Sequence, residues 1–179
     1  MSVFNPQENY FALFGVSQAY EVELSVLSSA YRALQQQAHP DRFASGSDSE
    51  RRLAVQQSSF INEAYETLLS PSRRAAYLLK LAGVNSDMSS STFKDPEFLM
   101  QQMQLREELS ELQDAKDPEA ALDKFYSDVD EAANIQKSVF TRNYNQQQFD
   151  EALACYAKLQ FLEKLRSEAE LKESELLDY

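Results

Sequence analysis

The sequence predicts an all-α chain. Long segments place apolar residues at alternating steps of three and four, and no segment sustains a period-two alternation. Only 3 Gly occur in 179 residues, too few for a turn-rich β-sandwich or a glycine loop around phosphate. The length suits one or two small domains, and 43% apolar residues suffice to bury a core.

Taken in order, Asn5-Pro6-Gln7-Glu8 reads as an N-cap, a proline at the first helical position and an acidic first turn. The short helix that follows carries Tyr10, Phe11, Leu13 and Phe14, and Gly15 stops it. From about 21 to 38, Leu24, Leu27, Tyr31, Leu34 and Ala38 make one apolar face. His39-Pro40 ends that helix, because the residue before a proline is pushed out of the helical region. Residues 42–49 form a polar loop. The next helix, from about 50 to 69, puts Leu53, Phe60, Ile61, Ala64 and Leu68 on one side. Ser70-Pro71 breaks it and starts a short helix through Leu79, which Gly83 closes.

Residues 84–94 are serine-rich, lack helical periodicity and read as a linker between a domain at 1–83 and another at 95–179. Asp95-Pro96-Glu97 and Asp117-Pro118-Glu119 repeat the cap-plus-proline start. The helix from 118 to 144 stripes Leu122, Phe125, Val129, Ala133, Gln136 and Phe140 along one side. A polar turn at Asn145-Gln146-Gln147-Gln148 leads into a last helix of nearly thirty residues. Three helices with short connections fold most simply as an up-down-up bundle.

Composition excludes several functions. One Cys cannot form an internal disulfide, and with His39 and Cys155 alone of their types no Cys/His zinc cluster can be built. Cys155 reads as a small buried residue of the last helix. No apolar run approaches the roughly 20 residues of a membrane span, and the N-terminus lacks a basic signal-peptide start, so a cytoplasmic protein is expected. The net charge of −12 disfavours nucleic acid or an anionic membrane as partner. That charge is uneven: residues 1–85 carry −1 and residues 86–179 carry −11, which suggests two different surfaces. No nucleophile–base spacing points to an enzyme, and no cofactor is expected.

Two helices carry more than one apolar stripe. In the segment 96–115, Phe98, Leu105, Leu109 and Leu112 share one face, while Leu99, Met100, Met103 and Glu107 fall on the other. The second stripe either packs against the N-terminal domain or is an exposed patch, where the flexible methionines suit an adaptable contact. In the last helix Phe149, Ala152, Leu153 and Tyr156 line one face, and Phe161, Leu162, Leu165, Ala169 and Leu176 roughly the opposite one. Such a helix must touch different neighbours along its length: another helix of the bundle wraps its end, or Phe161 lies beside the Leu99/Met100/Met103 patch.

His39-Pro40-Asp41 sits between two amphipathic helices able to pair antiparallel. Pro40 lacks an N–H and has a fixed φ, so it holds its neighbours in an extended turn. His39 offers a donor or acceptor near neutral pH and Asp41 a carboxylate acceptor. The result is a rigid polar knuckle suited to recognition.

Its surroundings are specific. Tyr10-Phe11-Ala12-Leu13-Phe14-Gly15-Val16 precedes Tyr31-Arg32 and then His39-Pro40-Asp41-Arg42-Phe43. Ile61-Asn62-Glu63-Ala64-Tyr65 through Leu69-Ser70-Pro71 and Arg73-Arg74-Ala75-Ala76-Tyr77 follow in order. Over roughly residues 7–80 the chain closely resembles a J-domain, the module by which J-proteins stimulate ATP hydrolysis by DnaK-type chaperones. The rest, through Phe98-Leu99-Met100-Gln101-Gln102-Met103 and Lys158-Leu159-Gln160-Phe161-Leu162, resembles the C-terminal bundle of HscB-type iron–sulfur co-chaperones. The resemblance implies that His39, Pro40, Asp41, Arg42 and Arg32 bind an HscA-type chaperone. It implies likewise that Leu99, Met100, Met103, Glu107 and Phe161 bind an IscU-type cluster scaffold. One departure is Gln35-Gln36-Gln37, where J-domains usually place basic residues. The rival readings are a general J-protein that hands unfolded clients to its chaperone and a structural helical adaptor with no chaperone link.

Overall fold

The structure, a computed structural model, describes residues 9–43, 46–85 and 95–177. These form seven α-helices and, among the described residues, no strand. The chain divides into two compact units, Met1–Leu78 and Leu79–Tyr179. Apart from Val84 and Asn85, the expected linker lies outside the described residues.

In the first unit, α1 (Tyr10–Leu13) is capped by Asn9, whose side chain accepts from the Phe11 amide; the cap expected at Asn5 lies outside the described residues. Gly15 follows at φ 65°, the left-handed geometry that glycine adopts at no steric cost. Helices α2 (Leu24–Ala38) and α3 (Asp48–Leu69) form an antiparallel hairpin. Tyr31 stacks on Tyr65 with centroids 4.0 Å apart, and the Tyr31 hydroxyl donates to Asn62 at 3.0 Å. Helix α3 starts two residues before its expected position because Ser47 and Glu50 make a reciprocal capping box. Its buried face is Ala54, Ile61, Ala64 and Leu68. Leu53, expected on that face, is exposed and Phe60 only half-buried: the stripe's centre runs through Ala54, and its neighbour lies roughly 100° round the helix. Leu24, at the first turn of α2, is likewise exposed.

Pro71 opens α4 (Pro71–Leu81). Arg74 is buried there and donates to Leu68 O at 2.8 Å and to Tyr20 O, so one guanidinium satisfies the end of α3 and ties in the loop before α2. Desolvation pushes its pKa below the ordinary arginine value. Tyr10 stacks on Tyr77 at 4.3 Å and bonds to Glu63, closing α1 over α3 and α4. Gly83, at φ 79°, ends α4 as expected.

The second unit is an up-down-up bundle of α5 (Pro96–Glu111), α6 (Pro118–Asn145) and α7 (Phe149–Leu177). Helix α5 gives way to a 3-10 turn at Leu112–Asp114. Cross-links give the directions. Arg106 reaches Glu168 and Lys172 donates to Leu109 O, so α5 and α7 run parallel. Tyr126 bonds Glu173 and Asp130 pairs with Arg166, so α6 opposes α7. Leu105, Leu109, Leu122, Phe125, Val129, Leu162 and Leu165 fill the centre. On α6 the buried alanine is Ala132 rather than Ala133, which sits half-buried at the core's edge.

The last helix departs from expectation in an instructive way. Its buried residues run Ala152, Cys155, Tyr156, Ala157 and Leu159, then Leu162, Leu165 and Ala169. At 100° per residue this stripe drifts by roughly a third of a turn instead of jumping to the opposite face. Its first half meets the end of α6, where Asn143 donates to Cys155 and Tyr144 packs on Phe149. Its second half joins the core shared with α5. Cys155 is buried and free, and desolvation pushes its thiol pKa up, against reactivity.

Candidate docking sites

His39 follows the last turn of α2 at φ −60°, ψ 127°, the extended geometry demanded by a following proline. Pro40–Phe43 then forms a 3-10 turn, which the Arg42 amide closes by donating to His39 O at 3.0 Å. The Asp41 amide donates to His39 Nδ1 at 3.3 Å, and Asp41 Oδ2 lies 3.6 Å from the same nitrogen. Both contacts are made by Nδ1, so Nε2 is the ring nitrogen left to face a partner. The Asp41 side chain is 91% exposed, so its remaining acceptor capacity faces water.

Arg42 folds back and donates to Gln36 O at 3.0 Å, filling one of the carbonyls left open at the end of α2. Arg32, Gln36, His39 and Arg42 line one open groove on the hairpin, with Ser58 and Asn62 of α3 opposite. Two cations and no carboxylate line it, so the groove suits an acidic surface. Gln35 lines the same groove and bonds Ser58 and Asn62, zipping α2 to α3.

In the second unit the site is a bare helix face. Asp95 caps α5, one oxygen accepting from the Glu97 and Phe98 amides at 3.1 Å each. Its other oxygen takes Lys158 Nζ at 2.6 Å. The Lys158 hydrogen bond, then the Phe98 amide, hold the Asp95 carboxyl below the usual range. Phe98, Leu105 and Leu109 enter the core. Opposite them stand Leu99, 42% exposed, and Met100 and Met103, each 73% exposed, with Glu107 also in solvent. Met100, Met103, Gln104 and Glu107 line a shallow groove that ends at Asp95 and Lys158.

Phe161 is placed differently. It is half-buried on α7, its ring meeting Phe98 edge-on at 5.7 Å and the Arg106 guanidinium at 5.5 Å. It therefore sits at the α5/α7 seam, and the groove lined by Met100 and Met103 does not include it.

A family model described as the DnaJ domain matches residues 9–77, and one described as the HSCB C-terminal oligomerisation domain matches residues 94–170. The solved structure of chaperone HscB from Vibrio cholerae is 43% identical, with a match covering 95% of this chain and 100% of that one at a TM-score of 0.84. The chain belongs to the HscB family. The crystal structure of human co-chaperone protein HscB is 30% identical, with 94% and 84% coverage and a TM-score of 0.86. The Jac1 co-chaperone from Saccharomyces cerevisiae shares the fold at 24% identity, with 90% and 91% coverage and a TM-score of 0.69.

As an HscB-family member the protein is a co-chaperone in iron–sulfur cluster assembly, and its J-domain has a DnaK-type chaperone as partner. No helix among the described residues is long and apolar enough to cross a membrane. Sequence reasoning missed Gln104, Gln136 and Lys158 as groove residues. Gln104 was within reach of helix arithmetic, lying roughly 40° from Met100. Lys158 and Gln136 belong to other helices, and nothing in the local sequence ties them to α5.

Proposed function

We propose that the two sites dock two macromolecules at once. The groove bearing Arg32, His39 and Arg42, with Pro40 and Asp41 at its turn, engages an HscA-type chaperone in its ATP-bound form and favours the hydrolysis-competent state. The face bearing Leu99, Met100, Met103 and Glu107, bordered by Phe161, holds an IscU-type scaffold. Residues 1–83 and 95–179 act as the two modules, joined through 84–94, and the protein works in the cytoplasm without catalysing a reaction itself. Delivery raises the scaffold's effective concentration at the chaperone's peptide site, which couples the two binding events.

The observation that carries this reading is the exposure of Leu99, Met100 and Met103 directly opposite the packed face of α5. A single stripe suffices to pack a helix in a bundle, and apolar side chains left together in water favour a protein contact. The test is a titration of the full chain with a folded IscU-type scaffold and, separately, with a denatured polypeptide. Saturable binding of the folded scaffold alone, strongly weakened in Met100→Ala/Met103→Ala, is expected. Preference for the denatured chain would instead favour a general J-protein.

A further inference from the structure

The apolar part of the docking face occupies the first two turns of α5, so whatever fixes those turns sets where Leu99, Met100 and Met103 stand. Helices α6 and α7 run against each other over most of their length, whereas α5 meets them at a few places. At its N-terminal end the polar tie is the Asp95 carboxylate. One oxygen of that group caps α5 through the Glu97 and Phe98 amides, and the other takes Lys158 Nζ at 2.6 Å. Lys158 is well shielded, its side chain only 18% exposed, and its ammonium lies 5.1 Å from the centre of the Phe98 ring.

One turn further on, Phe98 meets Phe161. Asp95 and Phe98 are three residues apart on α5; Lys158 and Phe161 are three residues apart on α7. Two matched contacts between parallel helices fix both sliding and rotation, which neither contact fixes alone. Asp95, Phe98 and Lys158 also line the groove that holds Met100, Met103 and Glu107, so the clamp closes one end of the docking surface.

We infer that the Asp95–Lys158 ion pair is a positioning device for scaffold docking: it holds the first turns of α5 in the rotation that presents Leu99, Met100 and Met103. The inference rests on the reading of that face as the scaffold-binding surface. Lys158 lies at the edge of the groove, and its part in docking is played through Asp95 and α5.

The test uses the full chain with Asp95→Asn, which keeps a capping oxygen and loses the charge, and Lys158→Met, which keeps the apolar stem over Phe98. Hydrogen exchange of the free protein is read at the amides of residues 99–103, and affinity is read by calorimetry with an IscU-type scaffold. Both variants should speed exchange at those amides several-fold and weaken scaffold binding about three- to fivefold, the scale of a partly shielded pair. The double variant should lose no more than either single one, and Lys158→Arg should restore most of the affinity. In a Leu99→Ala/Met100→Ala/Met103→Ala background, Asp95→Asn should cost nothing further. Unchanged exchange in Lys158→Met overturns the inference. So does a loss that adds in full to that of the strip variant, which would mark a direct contact. If the parent chain fails to bind the scaffold, the docking proposal falls while the exchange measurement still decides whether the clamp exists.

Discussion

The two units present docking sites of opposite construction. On the J-domain, the site is polar, and apart from Arg32 and the α3 wall of the groove it is written into seven consecutive residues: Gln36 O pairs with the Arg42 guanidinium and His39 Nδ1 with the Asp41 amide, at 3.0–3.3 Å. On the C-terminal bundle, the centre of the site is the apolar strip of Leu99, Met100 and Met103, and its polar bonding lies at the edge, where Asp95 meets Lys158. The strip exists because α5 has two apolar stripes and the core uses one. A knuckle of the first kind gives specificity through directed donors and acceptors. A strip of the second kind gives affinity through burial on contact, with methionines that adjust to the surface they meet.

The most forceful way to break this contrast is at His39. Replacing it by Gln removes the imidazole from the turn while leaving α2 and α3 packed, so stimulation of the chaperone's ATPase should fall to the unstimulated rate. Phosphate release under single-turnover conditions reads this. Scaffold affinity should stay within about twofold, as expected for sites that share no residues.

Met100→Ala with Met103→Ala should produce the reverse pattern. Scaffold affinity should fall about 10- to 100-fold, or about 1.4–2.8 kcal/mol, with chaperone stimulation by the scaffold-free protein intact. Because both side chains are exposed, the thermal midpoint should hardly move. Phe98→Ala on the packed face of the same helix should instead cost about 3–5 kcal/mol of stability by chemical denaturation. If the exposed pair destabilises the fold as much as Phe98 does, the assignment of the two faces is wrong.

A smaller effect sharpens the polar site. Arg42→Ala should raise the half-saturating chaperone concentration several-fold, and more than Arg32→Ala does, because Arg42 also holds Gln36 O at the end of α2. Both losses should shrink in high salt, which screens an exposed cation facing an acidic partner.

The smallest expected effect is in acid. The folded-state carboxyl of Asp95 lies below its ordinary value, so its ionised form contributes stability that is present above the unfolded pKa. That contribution is lost as pH falls through the depressed folded value. The gap in thermal midpoint between the parent chain and Asp95→Asn should be constant above about pH 5 and close below it.

Most of this fold is legible in the chain itself, for local reasons. Asp95-Pro96 and Asp117-Pro118 announce helix starts because the cap and the fixed φ act within three residues, and both caps form. Gly15 and Gly83 mark helix ends through their left-handed φ. The His39-Pro40 break is likewise local steric chemistry. What arithmetic on one helix misses depends on other helices. Leu53 has the right spacing and is exposed, since only the partner helix decides where a stripe's centre lies. Phe161 goes to the α5/α7 seam because the α7 stripe drifts round as its neighbours change. The Asp95–Lys158 pair joins residues 63 apart in sequence, beyond the reach of any periodicity.

The central claim is that one chain must carry both sites for scaffold and chaperone to be coupled. Mixing His39→Gln with Met100→Ala/Met103→Ala in a chaperone ATPase assay with the scaffold present tests it most directly. Each variant keeps the site the other lacks, so the mixture should stimulate no more than the methionine variant alone. Recovery to the level of the unmodified protein would show that the two sites need not be joined and would contradict the account.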